Sequence, residues 1–302
     1  MKFLLFSDLH YAPGCFKTFG FEALRIFQEH AERAGCDMII HAGDFCHFPD
    51  RDIDFVNTYN DFHIPSYHCL GNHDSDGCTV EETLRAYRMP NDYYFFDKGG
   101  YRFIIVNTNY YKDGDNYVIF SNGNYFKHPG ERDYMPPEQL EWLEKTISES
   151  EYPCVIFNHS SFERCDGVKN REEILKVIDS ANEKKAGSVL MCVNGHFHRD
   201  HIRVLNNVIY YDMNSASTDW VEVRHDKYPA EECKKACNLN HTLCFNDPLH
   251  AIVTLEGNTV TVEGMESSMY LGITRPMIGC KEFDNAGRPV TPSVKSAKIT
   301  VG

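Results

Sequence analysis

The sequence predicts an α/β fold, a sheet flanked by helices, and three observations carry that reading. Short apolar runs recur over the first two hundred residues, each followed by a polar loop and then by a segment with helical spacing. Three of these runs, 2–7, 37–42 and 65–70, end at Asp8, Gly43-Asp44 and Gly71-Asn72-His73-Asp74. Hydrophobic residues make up 42% of 302, enough for the core of one large domain.

In chain order, 2–7 reads as a buried strand, cut off by Asp8 and His10. It is too short for a signal-peptide core, which places the protein in the cytoplasm. Residues 20–34 set Phe21, Leu24, Phe27 and Ala31 on one side of a helix. A strand at 37–42, a helix at 51–61, a strand at 65–70 and a helix at 79–87 follow. Strands at 93–97 and 101–107 form a hairpin about Gly99-Gly100. Residues 109–135 are rich in Tyr, Asn and Gly without a period and read as a long surface excursion. The helix at 136–149 has proline near its start and Leu140, Leu143 and Ile147 on one face. A strand at 153–158, a helix at 170–186 and a strand at 188–193 come next. Strands at 201–205 and 208–213 meet at Asn206-Asn207. Residues 216–248 read as a polar, irregular insertion. A hairpin at 249–256 and 259–265 closes a domain of 1–270, leaving 271–302 as a tail that is extended or loosely attached.

The formal net charge of −14 gives no generic attraction to nucleic acid or anionic lipid, which disfavours a nuclease. No apolar stretch reaches the length of a membrane span. The 12 cysteines are scattered and read as free thiols in a reducing compartment. Cys233, Cys237, His241 and Cys244 match no familiar zinc finger and fit one stripe of a helix better.

Candidate metal ligands sit just past the ends of successive predicted strands. Asp8 and His10 follow the first, Asp44 the second, Asn72 and His73 the third, His159 a later one, and His196 and His198 another. Parallel strands bring such ends to one rim, where open α/β sheets bind ligands. Oxygen and nitrogen donors of these types suit borderline ions such as manganese, iron, zinc or cobalt. In Asp8-Leu9-His10 and His196-Phe197-His198, an extended backbone would point both ligands the same way.

These five segments together resemble the calcineurin-like metallophosphoesterase superfamily, in the branch of the cyclic-nucleotide phosphodiesterase-like and purple-acid-phosphatase-like members. Its pattern stands here as Asp8-Leu9-His10, Gly43-Asp44, Gly71-Asn72-His73-Asp74, His159 and Gly195-His196-Phe197-His198. The resemblance covers 1–215 and implies a four-layer αββα sandwich with two metal ions, divalent or trivalent. One would take Asp8, His10, Asp44 and His198; the other Asp44, Asn72, His159 and His196. His73 would protonate the leaving oxygen, with Asp74 holding its ring. The fourth segment departs from many relatives, with Ser160-Ser161 where a proline soon follows the histidine.

The implied activity is hydrolysis of phosphate mono- or diesters of a small, nucleotide-like partner. A phosphoprotein phosphatase and a non-catalytic scaffold are the alternatives; a scaffold should have lost ligands, and none is missing. Within the excursion, Tyr110, His128 and Arg132 are the candidate substrate contacts, against the blander reading of aromatics packing the loop onto its own domain.

Overall fold

The structure is a computed structural model that describes residues 1–302. The first quarter of the chain forms β1 (Lys2–Phe6), α1 (Phe21–Ala34), β2 (Met38–His41), α2 (Ile53–Asn60), β3 (Ser66–Tyr67) and α3 (Val80–Ala86). Next come β4 (Tyr94–Lys98), β5 (Tyr101–Ile105), β6 (Tyr110–Asp113), β7 (Asn116–Ile119), α4 (Pro137–Ser148), β8 (Cys154–Phe157) and α5 (Arg171–Lys184). Then follow β9 (Val189–Asn194), β10 (His201–Leu205), β11 (Val208–Asp212), β12 (Thr218–Trp220), α6 (Ala230–Cys233), β13 (Thr242–Cys244), β14 (Ala251–Glu256), β15 (Thr259–Glu263) and β16 (Ala297–Thr300).

Two six-stranded sheets dominate, in the orders β16-β15-β14-β1-β2-β3 and β10-β11-β9-β8-β5-β4. β1, β2 and β3 run parallel in one; β5, β8, β9 and β11 run parallel in the other. The side-chain alternation of β1 shows the layering. Phe3 and Leu5 enter a core shared with Phe103, Phe157 and Val193 of the second sheet, while Leu4 and Phe6 enter one shared with Leu24 and Phe27 of α1. On the far side, Ile104, Ile156 and Cys192 pack with Leu143 of α4 and Ile174 of α5. The result is the four-layer αββα sandwich. Strands covered on both faces have no polar side to show, which is why β2, β8 and β9 read as continuous apolar runs.

Four expectations change. Phe21 opens α1 but lies 50% exposed, so the buried stripe is Ala23, Leu24, Phe27 and Ala31. The excursion at 109–135 contains the β6–β7 hairpin and a single turn at Asn124–Lys127, closed over Tyr111, Phe120 and Tyr125. The insertion at 216–248 is ordered by the β12–β13 pair and by its own core of Tyr228, Leu239 and Leu243. The tail is not loosely attached. β16 pairs antiparallel with β15 at the sheet edge, and Arg275 donates to Asp219 Oδ2 at 2.6 Å. All 12 cysteines are free thiols. No helix is long and apolar enough to cross a membrane.

Candidate metal centre

The ends of the parallel strands from both sheets meet at one place. Asp8 and His10 leave β1, Asp44 follows β2, and Asn72 opens a single turn (Asn72–Ser75) after β3. From the other sheet come His159 after β8 and His196 and His198 after β9. His198 Nε2 lies 3.2 Å from Asp8 Oδ1 and 3.1 Å from His10 Nε2. His159 Nε2 lies 3.1 Å from Asp44 Oδ2, and His196 Nδ1 and His159 Nε2 lie 3.0 and 3.2 Å from Asn72 Oδ1. His10 Nε2 is 3.8 Å from Asp44 Oδ2, so the Asp44 carboxylate stands between the two groups. Asp8, His10 and His198 form one cluster with donor atoms within metal-binding reach; Asp44, His159 and His196 form another.

The backbone achieves this differently from the extended reading. Asp8, His10, Asp44, His196 and His198 all have φ between 52° and 67°, the left-handed region. Non-glycine residues rarely adopt it, and each such residue costs on the order of 1 kcal/mol or more. Two glycines make room for them. A Cβ on Gly71 would collide with the Asp44 backbone and carboxylate, and one on Gly195 with Ser7 and the Asp8 carboxylate.

A surrounding set of hydrogen bonds aims the donors inward. His159 Nδ1 lies 2.7 Å from the Ala42 carbonyl and His198 Nδ1 2.6 Å from the Thr218 carbonyl, so each turns Nε2 to the centre. Ser7 Oγ donates to Asp8 Oδ2 at 2.5 Å and the His196 N–H to the same carboxylate at 3.1 Å. Burial opposes a charge on His159, but the Asp44 carboxylate outweighs it and raises the ring to about 10. Burial, then His159, lowers His196 to about 3. Facing imidazole nitrogens interleaved with two buried carboxylates fit cations of the borderline type.

His73 stands beside this cluster. Its backbone N–H donates to Asp44 Oδ1 at 2.8 Å and its ring Nδ1 lies 2.6 Å from Asp76 Oδ2. Burial acts to lower it, and Asp44 and Asp76 together raise it to about 8. The expected partner, Asp74, does not touch the ring. Asp74 turns inward and accepts from the backbone N–H groups of Asp44, Phe45, Cys46 and Gly71 and from Tyr87 Oη. Adjacent residues of a tight turn project in different directions, so Asp74 staples two loops while Asp76, three residues beyond His73, meets the imidazole.

The proposed substrate contacts separate. Tyr110 is turned away, its hydroxyl donating to Asp92 at 2.7 Å. His128 stacks on Tyr111 with ring centroids 4.1 Å apart, inside the loop's own packing. Arg132 lies over the ring of Tyr125, whose hydroxyl donates to Asp76 Oδ1 at 2.8 Å. Residues that strand-end reasoning missed complete the site. His47 Nε2 lies 3.0 Å from His10 Nδ1 and its Nδ1 3.1 Å from Asp76. Trp220 and Phe16 wall the rim, with the Trp220 ring 5.6 Å from His10 and 6.3 Å from His73. The only sequence signal for Asp76 was its three-residue spacing from His73; Trp220 lay in the segment that read as irregular.

A family model of calcineurin-like phosphoesterases matches residues 1–200. The chain belongs to the calcineurin-like phosphoesterase family. It is a metal-dependent phosphoesterase, a hydrolase whose candidate ligands fall into two neighbouring groups, each able to hold a metal ion. Solved structures of similar fold include a dimetal phosphatase from Danio rerio, at TM-score 0.62 and 14% identity, covering 100% of this chain and 99% of that one. A purple acid phosphatase from yellow lupin matches at TM-score 0.53 and 12% identity over 99% of this chain and 53% of that one. GAP50, an anchor in the inner membrane complex of Plasmodium, matches at 0.51 and 13% over 100% and 89%. At these identities the likeness concerns the phosphoesterase fold alone. No curated protein sequence matches the chain.

Proposed function

We propose that the phosphoesterase hydrolyses phosphate mono- or diesters of small, nucleotide-like molecules. In this reading Asp8, His10, Asp44 and His198 hold one metal ion, Asp44, Asn72, His159 and His196 hold a second, and His73 delivers a proton to the leaving oxygen. The observation that carries it is the approach of the Asp44 carboxylate to both histidine clusters, with the backbone N–H of His73 anchored on that same carboxylate. When bound, the two ions supply Lewis-acid stabilisation of the phosphoryl oxygens and acidify water. Manganese, iron, zinc or cobalt suits the donor set.

The chain's own groups do the rest. His73 Nδ1 is engaged by Asp76, which leaves Nε2 as the atom for proton transfer. Tyr125 donates to the same carboxylate and restrains it. Trp220 and Phe126 offer apolar faces beside His73, with Phe16 edge-on to Trp220, on which a planar leaving group can stack, and this favours a small ring-bearing substrate over a phosphoprotein.

The test is a purification with manganese supplied and a screen of para-nitrophenyl phosphate, its bis-ester, cyclic nucleotides and nucleotide diphosphates. Turnover of at least one nucleotide is expected. Asp44→Asn should lower bound metal well below the about two equivalents expected of a dinuclear site. Two full equivalents in that variant, by elemental analysis, would remove the bridge; no turnover of any phosphoester by metal-loaded protein would remove the substrate reading.

A further inference from the structure

A second charged cavity, of about 430 Å³, lies on the flank of the metal centre. Its neighbourhood is set by Arg164, whose guanidinium stacks 3.9 Å from the ring of Phe197, the residue between His196 and His198. Four arginines from four parts of the chain line it: Arg164 after β8, Arg171 at the start of α5, Arg203 on β10 and Arg288 in the C-terminal segment. His201 completes the basic side, and Glu163 and Asp166 are the lining carboxylates. Two carboxylates line the cavity against four guanidiniums, and the other two that balance them, Asp212 and Asp284, lie behind the lining against Arg288 and Arg164.

The existing partners do not saturate these donors. Arg164 is held by Asp166 and, at 3.0 Å, by Asp284. Arg288 pairs with Asp212 and Arg203 with Glu163, while Arg171 donates one N–H to the Glu163 carbonyl. The Nε of Arg203 is buried without any partner. Against its burial, Asp166 and Asp284 raise Arg164, but Arg288 and His201 feel the neighbouring cations. Burial, then Arg203 and Arg164, lowers Arg288 to about 10, and burial, then Arg288 and Arg164, lowers His201. Gathering guanidiniums in a half-buried pocket is costly unless an anion shares it, and planar N–H forks match oxyanions in pairs.

We propose that this cavity is an oxyanion-binding site, distinct from the metal centre, that takes the phosphate, sulfate or carboxylate group of a small molecule. The anion would sit between Arg203, Arg171 and Arg288 and compete with Glu163 for them. Its source is either a free anion or the distal phosphate of a molecule anchored at the metals.

The experiment is a calorimetric titration of sodium sulfate into the metal-loaded protein. Arg171→Gln combined with Arg203→Gln should weaken one sulfate-binding event on the order of tenfold or more, and Arg203→Lys should weaken it less. Glu163→Gln should act in the opposite direction and tighten it, because it removes the competing carboxylate; a merely structural role for Glu163 predicts no tightening. Chelating the metal separates the sources, tested with a nucleoside diphosphate: a free-anion site keeps its affinity, whereas a distal-phosphate site loses it. Sulfate binding in the double variant equal to wild type, with an unchanged circular dichroism spectrum, would mean an adventitious ion only and would overturn the proposal. Failure of Glu163→Gln to tighten binding would overturn it as well, whether or not the double variant folds.

Discussion

At the scale of single residues, the centre is built on strained backbone. Five of the seven candidate ligands take a left-handed φ, a cost tolerated only because the strand on one side and the packed loop on the other over-determine their positions. The two acids after His73 divide the work, and their variants should differ in kind. Asp74→Ala leaves four backbone N–H groups and a tyrosine hydroxyl without their acceptor, so it should cost about 4 kcal/mol of stability, read by urea denaturation. Asp76→Asn should leave the melting temperature nearly unchanged and lower kcat on alkyl phosphates on the order of tenfold to a hundredfold. The reverse pattern would exchange the roles. His250, which is not among the candidate ligands, makes a separate prediction. Burial first, and His30 as a smaller influence, hold it near about 4 in the folded chain. The unfolded chain, titrating near about 6.5, binds the extra proton between those values. Stability is therefore lost as pH falls from about 6.5 towards 4, by up to about 3 kcal/mol. His250→Gln should flatten that part of the curve of melting temperature against pH; an unchanged slope would assign the acid sensitivity elsewhere.

At the scale of elements, two short strand pairs convert a bare cluster of candidate ligands into a walled site. β6 and β7 lead into the turn that sets Tyr125 against Asp76, and β12 carries Trp220 to the rim while lending the Thr218 carbonyl to His198. Trp220→Ala should raise KM for nucleotides by about fivefold to tenfold, the value of one stacking face, and leave KM for methyl phosphate within about twofold, because no ring is stacked there. Equal effects on both substrates would show that Trp220 only packs His10. These strand pairs escaped sequence reading for a plain reason. Strands of three or four residues are too short to show a period, and aromatic residues packed on one another look the same as aromatic residues awaiting a ligand. Tyr110 illustrates this, since its residue type suited a substrate contact and its hydroxyl is spent on Asp92.

At the scale of the molecule, the metal centre bridges the two sheets: Asp8, His10, Asp44 and Asn72 come from one, and His159, His196 and His198 from the other. Bound ions would therefore cross-link layers that otherwise meet through apolar packing and a few hydrogen bonds such as Tyr101 Oη to the Gly257 carbonyl and Tyr94 Oη to the His68 carbonyl. Ligand present at a thousandfold its Kd adds about 4 kcal/mol, so chelation should lower the melting temperature by about 6 °C in a chain of this size. A shift below about 2 °C would mean that the ligands hold their places without the ions.

The seven candidate ligands, the parallel order of the strands and most helices were legible in the sequence. Buried strands and their terminal ligands are local patterns, set by which side chains water rejects and where the chain must stop. The partner of His73, the aromatic rim, the arginine cavity and the docking of the C-terminal strand were not legible. Each depends on contacts between segments far apart in the chain, and the same residues would carry the same local pattern whether or not those segments met.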